Sequence, residues 1–327
     1  WKGGADLYHF HNPTLGKNRS LLAAIELLQG MGAKTLLQVH DFAEDGRPHN
    51  EAAESYPADC HYAVINGRDY RILLQAGLKP EGLHPLPNPI RTLRPAESGR
   101  ERKKNLVLYP VRAIRRKNIG EALLLSLFFP GAMRLGITLE PTGPLDRHSY
   151  RQWRDLAGSE RLRVLFGLGI GKSLEELLAE TRCVITTSVK EGFGLAYLEP
   201  WAAGKMLHGR LLPEICSDFI EKGLRLEHLY SGIRLPLDFI DVESLRSQWR
   251  RCSRWRLARC GLPEDGGAED AAFEELIRGG SVDFGKLSED QQKRVLAKAA
   301  RDPAARCELA ERNPFLDGMF VDADPQD

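Results

Sequence analysis

Apolar positions along the chain fall into two alternating patterns. Short apolar runs at 34–39, 62–65 and 83–86 have the length of β-strands. Between residues 18 and 29, Leu21, Leu22, Ile25 and Leu28 recur at helical spacing. Asn66 suits the cap of a helix that runs to Gly77, a residue suited to a C-terminal stop. The same rhythm restarts in the second half. Runs at 106–109, 134–139, 161–166 and 183–187 read as strands, and Asn118 reads as the cap of a helix through Phe128. Ser173-Leu174-Glu175-Glu176 spells a capping box for a helix through Glu180. After about residue 240 the strands stop and the pattern turns charged and helical, as at 287–300.

Repeated strand–helix alternation predicts parallel sheets covered by helices on both faces. Two such blocks imply two doubly wound α/β domains facing a cleft. Pro85, Pro87, Pro89 and Pro95, followed by the charged run 100–104, read as the linker between them. The expected organisation is a first domain at 1–95, a second at 96–240 and a helical C-terminal tail at 241–327. No internal repeat or low-complexity segment interrupts this pattern.

Composition narrows the function. A length of 327 residues accommodates two domains, and 42% hydrophobic with 28% charged residues is the balance of a soluble globular protein. A formal net charge of +1 removes any global electrostatic argument for nucleic acid or an anionic membrane. The richest apolar stretch, 122–129, is far too short to span a bilayer. None of the six cysteines stands in a C-x-x-C pair, which argues against zinc or dithiol chemistry and fits a reducing, cytoplasmic setting. The chain opens at Trp1 with no charged and apolar leader, so no signal peptide is expected. Residues 167–173 resemble a phosphate loop but fail its spacing, since Phe166 stands where glycine is needed. His9 and His11 lack an evident carboxylate partner, and no metal site is expected there.

The informative stretch is Ser188-Val189-Lys190-Glu191-Gly192-Phe193-Gly194-Leu195-Ala196-Tyr197-Leu198-Glu199. A buried strand ends, a glycine-flanked loop turns, and a helix begins. In a parallel α/β domain, ligands bind at such strand ends. Glycines allow close approach of the backbone, and N–H groups at a helix start receive oxygens. Were most of the span helical, Glu191 and Glu199 would lie roughly 12 Å apart. That separation suits two ends of one elongated ligand better than a carboxylate pair around one bond.

These residues resemble the large family of retaining GT-B glycosyltransferases often called family 4 (group 1). Glu191 and Glu199 look like its E-x7-E motif, with the E-G-F-G opening intact. Residues 109–117 look like its strand-end G-R-L-x-x-x-K, with Arg112 and Lys117 at matching spacing. Thr142-Gly143-Pro144 looks like its G-x-G-P turn, Leu86-Pro87-Asn88-Pro89-Ile90 like its linker, and Leu37-Gln38-Val39-His40-Asp41 like its T-V-H-D segment. The order matches over most of residues 6 to 215.

The resemblance implies two Rossmann-like domains, an acceptor-side first domain and a second that binds the nucleotide sugar. It implies transfer of a sugar from a nucleoside diphosphate to a hydroxyl of a small polar or glycan acceptor, with retention and with neither metal nor other cofactor. Arg112 and Lys117 would neutralise the departing diphosphate, a role that suits fixed cations. Glu191 would contact the donor sugar and Glu199 the ribose. Backbone groups of Gly192, Phe193, Gly194 and Leu195, with Gly143, would hold the donor, and His40 would reach the sugar near the reacting carbon. A strand-end histidine bonded to Asp41 is the plainer reading of His40.

Several positions depart from the family pattern. Its leading strand and glycine-rich loop are absent, so a companion chain supplying that segment is one expectation. Pro200 follows Glu199 and should kink or restart the helix. Asn118 replaces the usual glycine after Lys117. Arg210, in a replaced glycine pair, is expected in a surface ion pair rather than on an acidic ligand group. A non-catalytic nucleotide-sugar binder or scaffold is the main alternative, and a phosphorylase or epimerase on the same architecture is another.

Overall fold

A computed structural model of the chain describes residues 4–18, 20–42, 56–91 and 105–320. Trp1, Pro95 and the charged run expected to form the linker lie outside the described residues. The chain separates into two units. The first holds residues up to Arg91 together with Glu191–Leu195 and Leu212–Arg225. The second holds Thr92–Lys190, Ala196–Leu211 and the chain from Leu226 onward.

In the first unit, β1 (Tyr8–His11), α1 (Leu21–Gly30), β2 (Thr35–Val39), β3 (His61–Val64), α2 (Gly67–Gln75) and β4 (Leu83–Pro85) follow one another. The strands form a wholly parallel sheet in the order β1-β2-β3-β4. Leu37, Val39, Tyr62, Val64 and Leu83 pack with Leu22 and Ile25 of α1 and Leu73 of α2. The expected cap of α2 is present: Asn66 Oδ1 accepts from the Asp69 N–H at 2.7 Å. Gly77 ends the helix at φ +98°, a conformation open to glycine.

The second unit continues with β5 (Leu106–Arg112), α3 (Ile119–Leu125), β6 (Arg134–Leu139), α4 (Pro144–Ser159), β7 (Val164–Phe166), α5 (Leu174–Glu180), β8 (Thr181–Thr186), α6 (Leu195–Ala202) and β9 (Leu207–Gly209). α7 (Pro213–Glu221) groups with the first unit. The five strands are parallel in the order β7-β6-β5-β8-β9. The chain steps outward from β5 through β6 to β7, then returns to place β8 on the other flank of β5. The carboxyl ends of β5 and β8 therefore border a topological switch point, where open α/β sheets bind ligands. Ser173 and Glu176 form the expected capping box of α5, with both reciprocal bonds present. α3 is buried at every residue, between the sheet and later helices. Full burial of Leu123 and Leu124 contributes about 1.5–3 kcal/mol each.

β10 (Arg234–Pro236), α8 (Val242–Arg259), α9 (Gly266–Leu276), β11 (Ser281–Asp283), α10 (Glu289–Arg301), α11 (Pro303–Arg312) and α12 (Phe315–Gly318) complete the chain. The C-terminal region is mainly helical, as expected, but its strands do not stop at 240. β11 pairs antiparallel with β10, matching Leu235 with Val282. Three residues are too few to reveal a period of two. Val295, Leu296 and Ala299 of α10 belong to the same core as α3, so the helical region packs into the second unit. α8 and α9 bury little, chiefly Leu245 and Phe273, and are bridged by ion pairs Arg246–Glu274 and Arg250–Asp270. Among the described residues no helix is long and apolar enough to cross a membrane.

Candidate active site

The second unit carries one set of the residues singled out by sequence. Arg112 closes β5, is exposed, and donates from Nη1 to the Glu140 carbonyl at 2.8 Å. A short turn, Arg115–Lys117, leads into α3. The Lys117 carbonyl accepts from the Tyr109 hydroxyl at 2.6 Å and from the Thr187 hydroxyl at 3.1 Å. These bonds tie the lysine to the middle of β5 and to the residue that follows β8. Asn118 differs from its expected role. It precedes α3 with φ 52° and ψ 54°, and its side chain caps nothing. The left-handed backbone turns the amide toward the interior, where Nδ2 donates to Glu121 Oε2 at 2.8 Å.

Glu199 lies on α6 and is half-buried. Burial pushes its carboxyl above the usual range, and the charge of Lys117 pulls it part of the way back. The structure thus brings Glu199 and Lys117 within electrostatic reach of each other. The helix covers only the second half of the Glu191-to-Glu199 stretch, since it starts at Leu195. Pro200 stays inside that helix, which ends two residues later, so the missing N–H falls in a closing turn. Gly143 caps α4 with Pro144 at the first helical position. Sequence reasoning missed Arg116, whose carbonyl accepts from the Val189 N–H at 3.0 Å and whose guanidinium donates to the Lys190 carbonyl at 3.3 Å.

The first unit holds the rest. The His40 N–H donates to Asn12 Oδ1 at 2.6 Å, with the Asp41 N–H on the same oxygen at 3.2 Å. The His40 ring meets His11: Nε2 lies 2.9 Å from His11 Nδ1, with the rings stacked at 5.2 Å. Burial lowers the His40 pKa, the neighbouring His11 lowers it further, and Asp41 opposes both. Glu191 is buried. The Gly192 carbonyl accepts from Asn66 Nδ2 at 2.9 Å, and a Cβ on Gly192 would stand 3.1 Å from the His40 carbonyl oxygen. The close approach that glycine permits here is therefore to protein backbone. Phe193 anchors the loop edge-on against Phe219, with centroids 5.6 Å apart. Gly194 takes φ +95° before Leu195 opens α6. Among the described residues no group of three or more His, Cys, Asp or Glu side chains is placed to hold a metal ion.

Arg210 is not in a surface pair. It is 4% exposed, and its guanidinium sits between Glu121 and Asp283. Its partners stand 89 and 73 residues away, too far for local sequence to reveal.

No protein-family profile matches the chain. Over 273 residues it is 28% identical to mannosylglucosyl-3-phosphoglycerate synthase of Petrotoga mobilis, covering 74% of this chain and 53% of the relative. The chain thus spans about half the length of the curated relative it matches. Among solved structures, HepE of Anabaena in complex with UDP-glucose superposes with a TM-score of 0.51 at 13% identity, over 97% of this chain and 77% of that one. HepE in complex with UDP and glucose gives 0.50 at 14% identity, with the same coverage. The likeness shows the fold: the chain has the GT-B architecture.

Proposed function

We propose that the chain is a retaining glycosyltransferase of the family 4 type, moving a sugar from a nucleoside diphosphate to an acceptor hydroxyl without a metal. The observation that carries this reading is the electrostatic proximity of Lys117, in the turn after β5, to Glu199 on α6, the helix that follows β8. A cation and a carboxylate held there suit the two ends of a nucleoside diphosphate. Lys117 and the exposed Arg112 neutralise the diphosphate as the glycosidic bond breaks. Glu199 accepts from the ribose hydroxyls, and Glu191, with His40, serves the donor sugar. Gly143, Gly192, Phe193, Gly194 and Leu195 offer backbone groups to the donor. The acceptor hydroxyl attacks on the leaving-group face and gives its proton to a phosphate oxygen, so no protein nucleophile is invoked.

Two comparisons support the substrate class. HepE binds UDP-glucose, and the Petrotoga relative is named for a phosphoglycerate glycoside. An acceptor of that kind is small, polar and anionic, which narrows the sequence expectation. The reading assigns the acceptor to the domain expected at 1–95 and the nucleotide sugar to the one expected at 96–240.

A thermal-shift panel of UDP, GDP, ADP and their sugars, run in EDTA, tests this reading. A ligand that binds only the folded state raises Tm by mass action. A rise with one nucleotide class, undiminished by EDTA, is expected. Absence of any rise would overturn the reading.

A further inference from the structure

Behind Lys117 runs a chain of buried polar groups that nothing in the proposed reaction yet uses. It starts at Asn118, 1% exposed and left-handed at φ 52°. Asparagine tolerates this backbone better than other side chains, but glycine holds it freely. The asparagine amide is fully engaged. Nδ2 donates to Glu121 Oε2 at 2.8 Å, and Oδ1 accepts from Gln292 Nε2 at 2.8 Å.

Glu121 is completely buried on α3. Its Oε1 accepts from Arg210 Nε at 2.9 Å and from the Tyr230 hydroxyl at 2.6 Å. Its Oε2 accepts from Arg210 Nη2 and from Asn118. Burial pushes the Glu121 carboxyl above its usual range, and the Arg210 charge with the four donors around the carboxylate draws it back toward the anion. Arg210 then reaches Asp283 with two bonds, Nη1 to Oδ2 at 2.7 Å and Nη2 to Oδ1 at 2.8 Å. Burial opposes the Arg210 charge, and the two carboxylates more than offset that, so its pKa is raised. Asp283 Oδ1 is fixed in turn by the backbone N–H groups of Ile233 and Gly285. Gly285 has to be small: a Cβ there would stand 2.7 Å from Arg210 Nη2.

The groups connect in one line: Asp283 on β11, Arg210 after β9, Glu121 on α3, Asn118, then the Lys117 peptide. The second anchor, Gln292, is on α10 and also donates to the Phe284 carbonyl at 2.9 Å. On the opposite side, the Lys117 carbonyl is held by Tyr109 and Thr187. Lys117 has no freedom at its backbone from either direction. Gln292 Oε1 is the one atom of this network without a hydrogen-bond partner among the described residues; the remaining bonds stiffen the segment, which is what a cation aimed at developing charge requires.

We propose that Asn118, locked by Glu121 and Gln292 and braced through Arg210 by Asp283, is the positioning residue for the Lys117 ammonium. The C-terminal region then takes part in the site without touching the ligand. This rests on the assignment of Lys117 to the diphosphate.

The test is a double-mutant cycle on binding, using the full chain and isothermal titration with UDP, GDP and ADP and the matching monophosphates. Asn118→Gly keeps the left-handed backbone and removes the amide, so it separates anchoring from strain. Expected is a loss of about three- to tenfold in affinity for the diphosphate that binds, with the monophosphate changed less than about twofold. Gln292→Leu removes the second anchor and should act in the same direction. In a Lys117→Ala background neither substitution should weaken binding further. Losses that multiply in the double variants, or that strike monophosphate and diphosphate equally with a falling Tm, would assign Asn118 a structural role only and overturn the proposal. If Lys117→Ala binds the diphosphates like the wild type, or if none binds, the functional reading itself fails and this inference falls with it.

Discussion

Asn66 donates from Nδ2 to the Gly192 carbonyl at 2.9 Å while its Oδ1 caps α2, so one side chain serves a helix start and a loop 126 residues away. The loop is the one proposed to hold the donor. Asn66 is buried, and Nδ2 also donates to Asp69 Oδ2 at 3.0 Å.

Asn66→Ala is therefore expected to cost about 1–2 kcal/mol of stability, combining a lost cap with an unpaired carbonyl. Urea unfolding measures it. The same variant should weaken nucleotide-sugar binding in calorimetry, whereas an unchanged unfolding midpoint would contradict both roles.

Gly120 lies under Trp153. An added Cβ would stand 2.6 Å from the indole Cη2 and 2.8 Å from Gln292 Oε1. Trp153 is 1% exposed and has nowhere to move. Gly120→Ala should destabilise by about 1–3 kcal/mol through overpacking, despite alanine's better helix propensity. A midpoint equal to or above that of the wild type would count against this packing.

His208 on β9 is buried with Nε2 lacking a hydrogen-bond partner, and burial lowers its pKa to about 4. A depressed folded-state pKa means stability that is present above the unfolded value and lost as pH falls toward 4. Relative to His208→Leu, the wild type should lose up to about 3 kcal/mol between roughly pH 6.5 and 4. Parallel pH–stability curves for the two proteins would refute the assignment.

Lys117→Ala should lower sugar-transfer turnover strongly, because it removes charge stabilisation in the transition state. Glu199→Ala should act mainly on donor affinity. Burial already raises the Glu199 pKa, and Lys117 restrains it. In Lys117→Ala the carboxyl should therefore protonate at higher pH. The acid limb of nucleotide binding should shift upward with it, as read from Kd against pH. A limb that stays in place would separate the two residues.

Local features were legible in sequence where local physics decides them. The Ser173–Glu176 box and the Asn66 cap are three-residue relationships, and both formed as read. The residues 134–139 read as a strand, and β6 is that strand. Beyond that range, reading failed for definite reasons. β9, β10 and β11 are too short to show a period. Arg210 looked like a surface residue because its carboxylates come from distant parts of the chain. The residue type of Asn118 suggests a cap, whereas its left-handed φ turns the side chain inward, which no residue type discloses. Among the site residues, the nearness of Lys117 to Glu199 follows from the strand order, which no spacing discloses.

The hairpin of α8 and α9 differs in kind from the buried chain behind Lys117. Its bridges, Arg246 to Glu274 and Arg250 to Asp270, are open to water on the carboxylate side. Counter-ions screen such pairs over about 10 Å at 0.1 M salt and reach them freely. They cannot reach Arg210, whose side chain is 5% exposed. Ionic strength therefore acts as a dial on one part of the protein. Raising it weakens the α8–α9 bridges by degrees while leaving the brace on α3 untouched, so the two parts answer differently to the same change of solvent.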